Sequence, residues 1–300
     1  MTLWIPITLA AALFQTLRFM LQRQLSLGTL SAAGATLARF LYSAPLVAVL
    51  IVLYMRLSGQ AWPAFGPTFW LFGAIGGLAQ ILATIATVRL FQARNFAVGI
   101  TFKKTEVIQA VLVGWVLLGD AVSGWGFAAI GFGLVGVLLL SAPPEIVRVG
   151  WRDMANRTVG LGLASGFLFA VSGVCYRGAS LSLDLADPLA RAGVTLSAVT
   201  MMQMVAMVLW LRWRDPGQVR AVWAARRIAV WVGLMSMAGS FCWFTAFTLQ
   251  NAAYVNAVGQ VELVFSALVS VLIFREAVSV REWAGMAVLL GSIVMLIVLI

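Results

Sequence analysis

Apolar runs of about 20 residues recur from one end of this chain to the other, and each is long enough to cross the roughly 30 Å hydrocarbon layer of a bilayer. That recurrence leaves few folds open. In lipid, backbone N–H and C=O groups must find partners within the protein, so such runs become spanning helices. The periodicity predicts spans at 3–22, 31–55, 68–91, 96–118 and 125–141. A second set follows at 158–177, 188–211, 228–249, 252–274 and 282–300. The first run lacks a basic leader and a small-residue cleavage site and reads as a retained span. Pro45 is a candidate kink in the second span, and Pro188 sits at the start of the seventh.

Composition agrees with the spans: 62% of the 300 residues are hydrophobic and only 10% charged. The formal charge of +10 does not argue for nucleic acid, because the arginines flank short loops and form no continuous basic face. There is no histidine, and no other cluster with metal-ligand spacing, so no cofactor or metal is expected. Cys175 and Cys242 fall inside spans, which speaks against a disulfide framework. Without a GxSxG elbow or a metal cluster, an enzyme has no visible apparatus.

The two sets of five spans carry a repeat. Shifted by 156 residues, 91–123 overlays 247–279: Phe91 meets Phe247, Asn95 meets Asn251 and Glu106 meets Glu262. Asp120 falls on Glu276, and Ala121-Val122-Ser123 falls on Ala277-Val278-Ser279. With small changes of register, the Leu-Ala-Arg at 37–39 matches that at 189–191, and Arg23 matches Arg177. An odd number of spans per unit makes the second copy enter from the opposite side. The expected fold is all-α and integral to the membrane, with ten transmembrane helices as two inverted five-helix repeats, 1–150 and 151–300, around a central cavity.

Loop charge sets an expected orientation. The loops after odd-numbered spans carry Arg23, Arg89, Arg94, Arg148, Arg152, Arg157, Arg212, Arg214, Arg220, Arg226, Arg227, Arg275 and Arg281. The opposite side has Arg56 and Arg177. The positive-inside rule then places both termini in the periplasm. Trp62, Trp125, Trp151, Trp213 and Trp283 fall near span ends as an interfacial belt, whereas Trp243 does not.

Ionisable groups inside a bilayer mark pathways or internal pairs. The fourth span holds Lys103, Lys104 and Glu106; Lys103 and Glu106 share a helix face while Lys104 points nearly the opposite way. The ninth span has Gln260 in place of Lys104 and keeps the acid as Glu262. Gln80, Thr84 and Thr87 form a polar stripe on the third span, and their shifted counterparts Ser236, Ser240 and Trp243 form one on the eighth. Gln15, Arg18 and Gln22 share one side of the first span. Arg39 and Arg191 are expected to be interface anchors.

The candidate cavity residues are Gln15, Tyr42, Gln80, Thr84, Lys104, Glu106, Ser236, Ser240, Trp243, Gln260 and Glu262. Lys104 facing a glutamate suits a zwitterion, with Trp243 and Tyr42 as an apolar or cation–π wall. Structural pairing of the charges and ordinary interhelical hydrogen bonding of the hydroxyls are the plainer alternatives. Glu262, with no basic neighbour in its own span, is the preferred proton carrier over Glu106.

The stretches VLLGDAVSGWGFAAIGFGLVGVLLL and VLIFREAVSVREWAGMAVLLGSIVML, each with a short acidic turn at Gly119-Asp120 or Arg275-Glu276, resemble the EamA family of the drug/metabolite transporter superfamily. Within it the chain looks most like the YddG-type amino-acid exporters. The resemblance implies substrate binding between the halves and a secondary transporter exporting amino acids, aromatic and other neutral ones, or similar small metabolites across the bacterial inner membrane. Nucleobases, amines or drugs are alternative cargo, and a channel is a further alternative. Members are often described with cytoplasmic termini, the reverse of what the arginine count predicts here. The expected partners are a small-molecule substrate and membrane lipids, with no nucleic acid; a monomer is compatible with them.

Overall fold

The computed structural model describes residues 3–28, 30–93, 96–141, 157–274 and 279–299, and within them every regular element is a helix. In chain order these are α1 (Trp4–Leu27), α2 (Ala32–Leu57), α3 (Pro67–Phe91), α4 (Phe96–Lys103), α5 (Glu106–Leu118) and α6 (Gly124–Ser141). The second half has α7 (Arg157–Leu181), α8 (Pro188–Arg214), α9 (Pro216–Ala224), α10 (Arg226–Leu249), α11 (Ala252–Gly259), α12 (Glu262–Phe274) and α13 (Val280–Leu299). Arg94, Asn95, Arg148, Trp151, Arg152, Arg275, Glu276, Ala277 and Val278, used above for charge, belt and repeat, lie outside the described residues.

Eight of these helices are long and apolar enough to span a bilayer. Their outer faces expose large apolar side chains such as Val49, Leu53, Leu71, Leu209 and Val298, a surface that water would not tolerate and that lipid covers. α2 runs on through Pro45 as one helix. α9 was not expected from the sequence. It packs on α2 and α8, and its Gln218 side chain accepts hydrogen bonds from the backbone N–H and hydroxyl of Ser31 at the start of α2, both at 3.0 Å.

The expected fourth and ninth spans are not continuous. Each is broken after its first eight residues by a two-residue turn, Lys104-Thr105 in one and Gln260-Val261 in the other. At the first break the Lys104 N–H is shared between the carbonyls of Ile100 (3.2 Å) and Thr101 (3.1 Å), and Thr105 N–H bonds Phe102 O at 3.2 Å. At the second, Gln260 and Val261 bond Ala257 O and Val258 O at 3.2 and 3.1 Å. These tightened turns satisfy backbone groups that hydrocarbon would leave bare. Each following helix then begins on a glutamate, where a carboxylate complements the positive end of the helix dipole.

The element boundaries keep the sequence offset. Phe96 and Ala252, Lys103 and Gly259, Glu106 and Glu262, and Leu118 and Phe274 are each 156 residues apart, as are the starts of α2 and α8 and of α6 and α13. Contacts follow the same exchange: α1 packs on α10, α3 on α7, α2 on α8 and α6 on α13. Arg177 fastens one end. Its Nε donates to Asp120 Oδ2 at 2.9 Å, and its Nη1 donates to the carbonyls of Phe247 (2.8 Å) and Gln250 (3.0 Å) at the end of α10.

Two pairs of glycines at GxxxG spacing, Gly73/Gly77 on α3 and Gly162/Gly166 on α7, have different neighbours. Gly73 and Gly77 face Met202, Val199 and Gln203 on α8. Gly162 and Gly166 let α7 lie against the backbone of α4, and a Cβ on Gly166 would come within 2.6 Å of the Lys103 carbonyl at the break itself. Gly166→Val should therefore displace the break and lower stability by about 1–3 kcal/mol. Thermal unfolding in detergent checks this, with Gly160→Val, which has open space around it, expected near wild type.

Candidate functional site

The two breaks bring the charged residues together. Lys104 Nζ forms an ion pair with Glu262 Oε1 at the start of α12, and Glu262 Oε2 also accepts from Gln15 Nε2 at 2.6 Å. Lys103 Nζ lies 3.3 Å from Glu106 Oε2, and the other Glu106 oxygen accepts from Gln260 Nε2 at 3.5 Å. The arrangement is reciprocal: Lys104 and Gln260 occupy equivalent places in the two breaks, and each reaches the glutamate of the other half. Lys103 and Lys104 are 3% and 2% exposed, so the pairs are desolvated and each depends on its partner.

Arg39 is the residue that sequence reasoning misplaced. It is 4% exposed and buried among α2, α3 and α10, not at an interface. Its Nε donates to Ser236 Oγ at 2.8 Å, Nη1 to Thr84 Oγ1 at 3.3 Å and Nη2 to Ser240 Oγ at 3.1 Å. The stripes on α3 and α10 therefore converge on one guanidinium. Its position, two turns inside the N-terminus of α2, was the available signal, since snorkelling from that depth is strained. Arg18 is likewise buried, bonded to Gln22 (3.3 Å) and Gln15 (3.4 Å) and resting 4.2 Å from the Phe19 ring centroid.

A polar cavity of about 50 Å³ lies between these groups. Gln15, Arg39, Gln80, Lys103, Glu106, Ser172, Ser240 and Asn256 supply its polar lining, and Phe169, Tyr176, Trp243 and Phe247 its aromatic walls. Trp243 stacks on Phe247 with centroids 5.6 Å apart. Lys103 Nζ sits 4.8 Å from the Phe169 centroid, in cation–π range. Gln203 Nε2 ties Gln80 Oε1 (3.0 Å) and Tyr176 Oη (3.2 Å) together behind the wall. Sequence reading had placed none of Phe169, Ser172, Tyr176, Gln203, Phe247 or Asn256 at the cavity. Single polar or aromatic residues on apolar helices show no face until the helices are packed.

A wider cleft of about 310 Å³ meets the same charges from one end of the bundle. Arg23, Phe91, Lys103, Lys104, Glu262 and Ser266 are among its lining, and Gln92 Nε2 bonds Ser26 O at 2.9 Å beside the ends of α1 and α3. The Lys104–Glu262 pair belongs to this cleft, and Lys103 borders both spaces. Glu262 therefore does have a basic partner, which removes the reason for preferring it to Glu106 as a proton carrier. Gln260 instead borders a small pocket with Lys104 and Ser292. Tyr42 is not brought to the cavity; its ring stacks on Trp223, centroids 6.4 Å apart, and its hydroxyl reaches Val222 O at 3.5 Å. A larger groove, about 430 Å³, is lined by residues such as Val47, Ile51, Leu196 and Phe241 and has almost no polar group to orient a solute.

With this geometry in view, comparison with known proteins is informative. Residues 156–298, within the second half of the chain, match the EamA-like transporter family. No curated protein matches the sequence. A solved crystal structure shares the fold, with a TM-score of 0.68 and 16% identity over 99% of this chain and 98% of the other.

Removing one partner of the cross-half ion pair should be costly. Lys104→Met leaves Glu262 with Gln15 as its described hydrogen-bond partner and should destabilise by about 3–5 kcal/mol. Lys104→Met combined with Glu262→Gln should recover most of that. A double-mutant cycle on thermal unfolding in detergent checks the coupling; strictly additive effects would show that the pair does not hold the halves together.

Proposed function

We propose that this chain is a ten-span secondary transporter of two inverted five-helix repeats, 1–150 and 151–300, that exports amino acids or similar small metabolites across a bacterial inner membrane by alternating access. Eight long helices and two broken spans support ten crossings. The charge of the loops supports periplasmic termini, an orientation in which the cleft beside Arg23 and Phe91 faces the cytoplasm.

The observation that carries this reading is the reciprocal bridge between the two breaks. Paired broken helices near mid-membrane, each starting on an acid and each held by the other half, form a contact that opens when the halves rock apart. The central cavity, at about 50 Å³, holds no more than a water or two, so this conformation is closed around its site. Substrate would enter from the cleft as the Lys104–Glu262 contact parts, and leave on the other side as the equivalent contacts exchange.

The lining suits a small amphipathic solute. Arg39 and Lys103 offer cationic donors, Glu106 an anionic acceptor, and the four aromatic residues an apolar wall. This is the inventory of an amino-acid site and of the YddG-type resemblance, with Lys103, Glu106 and Arg39 taking the places first expected of Lys104 and Glu262.

Counterflow in proteoliposomes tests the proposal, using labelled phenylalanine, methionine, threonine and glutamate with choline and adenine as other classes. Saturable amino-acid counterflow is the expected result, falling roughly ten-fold or more in folded Glu106→Gln. Sustained single-channel current would make the protein a channel. Counterflow of choline or adenine alone would keep a transporter and discard amino acids as its cargo.

A further inference from the structure

The buried charges do not balance. Among the described residues, Arg18, Arg39, Lys103 and Lys104 are buried cations, whereas Glu106 and Glu262 are the buried carboxylates, and both are already paired with lysines. Arg39 has only the neutral hydroxyls of Thr84, Ser236 and Ser240 as described hydrogen-bond partners. A guanidinium has five N–H donors, and these three bonds leave one on each Nη nitrogen. The guanidinium is a rigid planar fork that matches a carboxylate, and Arg39 borders the central cavity.

We infer that Arg39 is the carboxylate-binding residue of the central cavity, and that the preferred substrates are small organic acids of net charge −1. The inference rests on the cavity being the transport site. A monoanion neutralises Arg39 without disturbing the Lys103–Glu106 pair. A neutral zwitterion neutralises Arg39 equally well but brings an ammonium that must take Glu106 from Lys103 or stay unpaired in a desolvated space. A cation meets two like charges on entry. The aromatic walls, Phe169, Tyr176, Trp243 and Phe247, favour an apolar remainder. The fitting class is therefore a 2-oxo or similar monocarboxylate with an aromatic or aliphatic side chain, or an amino acid with a second carboxylate.

The test uses three compounds of one shape and different charge: phenylpyruvate (−1), phenylalanine (0) and phenylalaninamide (+1). Wild-type counterflow should rank them in that order, with roughly ten-fold or more between the first and second. Phenylpyruvate should also raise the melting temperature of the wild-type protein in detergent, while phenylalaninamide should not. Arg39→Gln should weaken the apparent affinity for phenylpyruvate roughly 10- to 100-fold and leave phenylalaninamide unchanged or improved, and Arg39→Lys should fall between. A wild-type ranking with the neutral or cationic compound first would overturn the inference while leaving the transporter intact. An Arg39→Gln variant that weakens all three compounds alike would reduce Arg39 to a structural tie. Flux of none of the three, nor of the wider panel, would defeat the transport reading itself. The wild-type ranking and thermal shift decide the matter even if Arg39→Gln does not fold.

Discussion

Everything at the centre of this protein depends on two interrupted helices whose loose ends satisfy one another. A break inside the membrane exposes backbone amides and carbonyls to a medium that cannot solvate them, and it survives only where protein surrounds it. Here the turns at Lys104-Thr105 and Gln260-Val261 close their own hydrogen bonds, and glutamates begin the helices that follow. Gly162 and Gly166 admit α7 against the first break, while Gly259 gives the ring of Trp243 room against the second. Small residues are thus concentrated where the backbone must be covered closely.

That construction also dictates where polarity can accumulate. A helix dipole end and a glutamate at each break attract cations, and the lysines and Gln260 answer. Arg39 is held differently, by three hydroxyls from α3 and α10. Hydroxyls orient a guanidinium without neutralising it, so its charge remains available to whatever enters the cavity. The Lys104–Glu262 pair joins the two halves and the Lys103–Glu106 pair closes within the first, whereas Arg18 and Arg39 are held by neutral groups, and of these two Arg39 borders the cavity.

Much of this was legible in the sequence. Apolar runs of spanning length and the 156-residue offset were visible because lipid imposes length on every span and because Glu106 and Glu262 are rare enough in such runs to align by eye. The helix boundaries at Phe96 and Ala252, and at Glu106 and Glu262, then repeat that offset to the residue. The breaks themselves were not legible, because no proline marks either one and the polar residues at them were read as facing a cavity from a continuous helix. Arg39 was read as an anchor because its partners are on α3 and α10, 45 and 197 residues away or more, and their hydroxyls carry no charge pattern to announce them. Tyr42 was read as a cavity wall because α9, which supplies its stacking partner Trp223, was taken for a loop.

The equivalence of the two breaks is incomplete in one respect. Lys104 and Gln260 reach the glutamates of opposite halves, but one contact joins two charges and the other joins a charge to an amide. In a desolvated site an ion pair and a single amide hydrogen bond differ by more than a kcal/mol. Both contacts are made in the same structure, so the two breaks are tied across the halves by unequal bonds, one between charges and one from an amide. The cleft lies on the side of the stronger contact, beside Arg23 and Phe91. On the transport reading proposed above, an anion entering that cleft would meet Lys103 and Lys104 and compete with their carboxylates there.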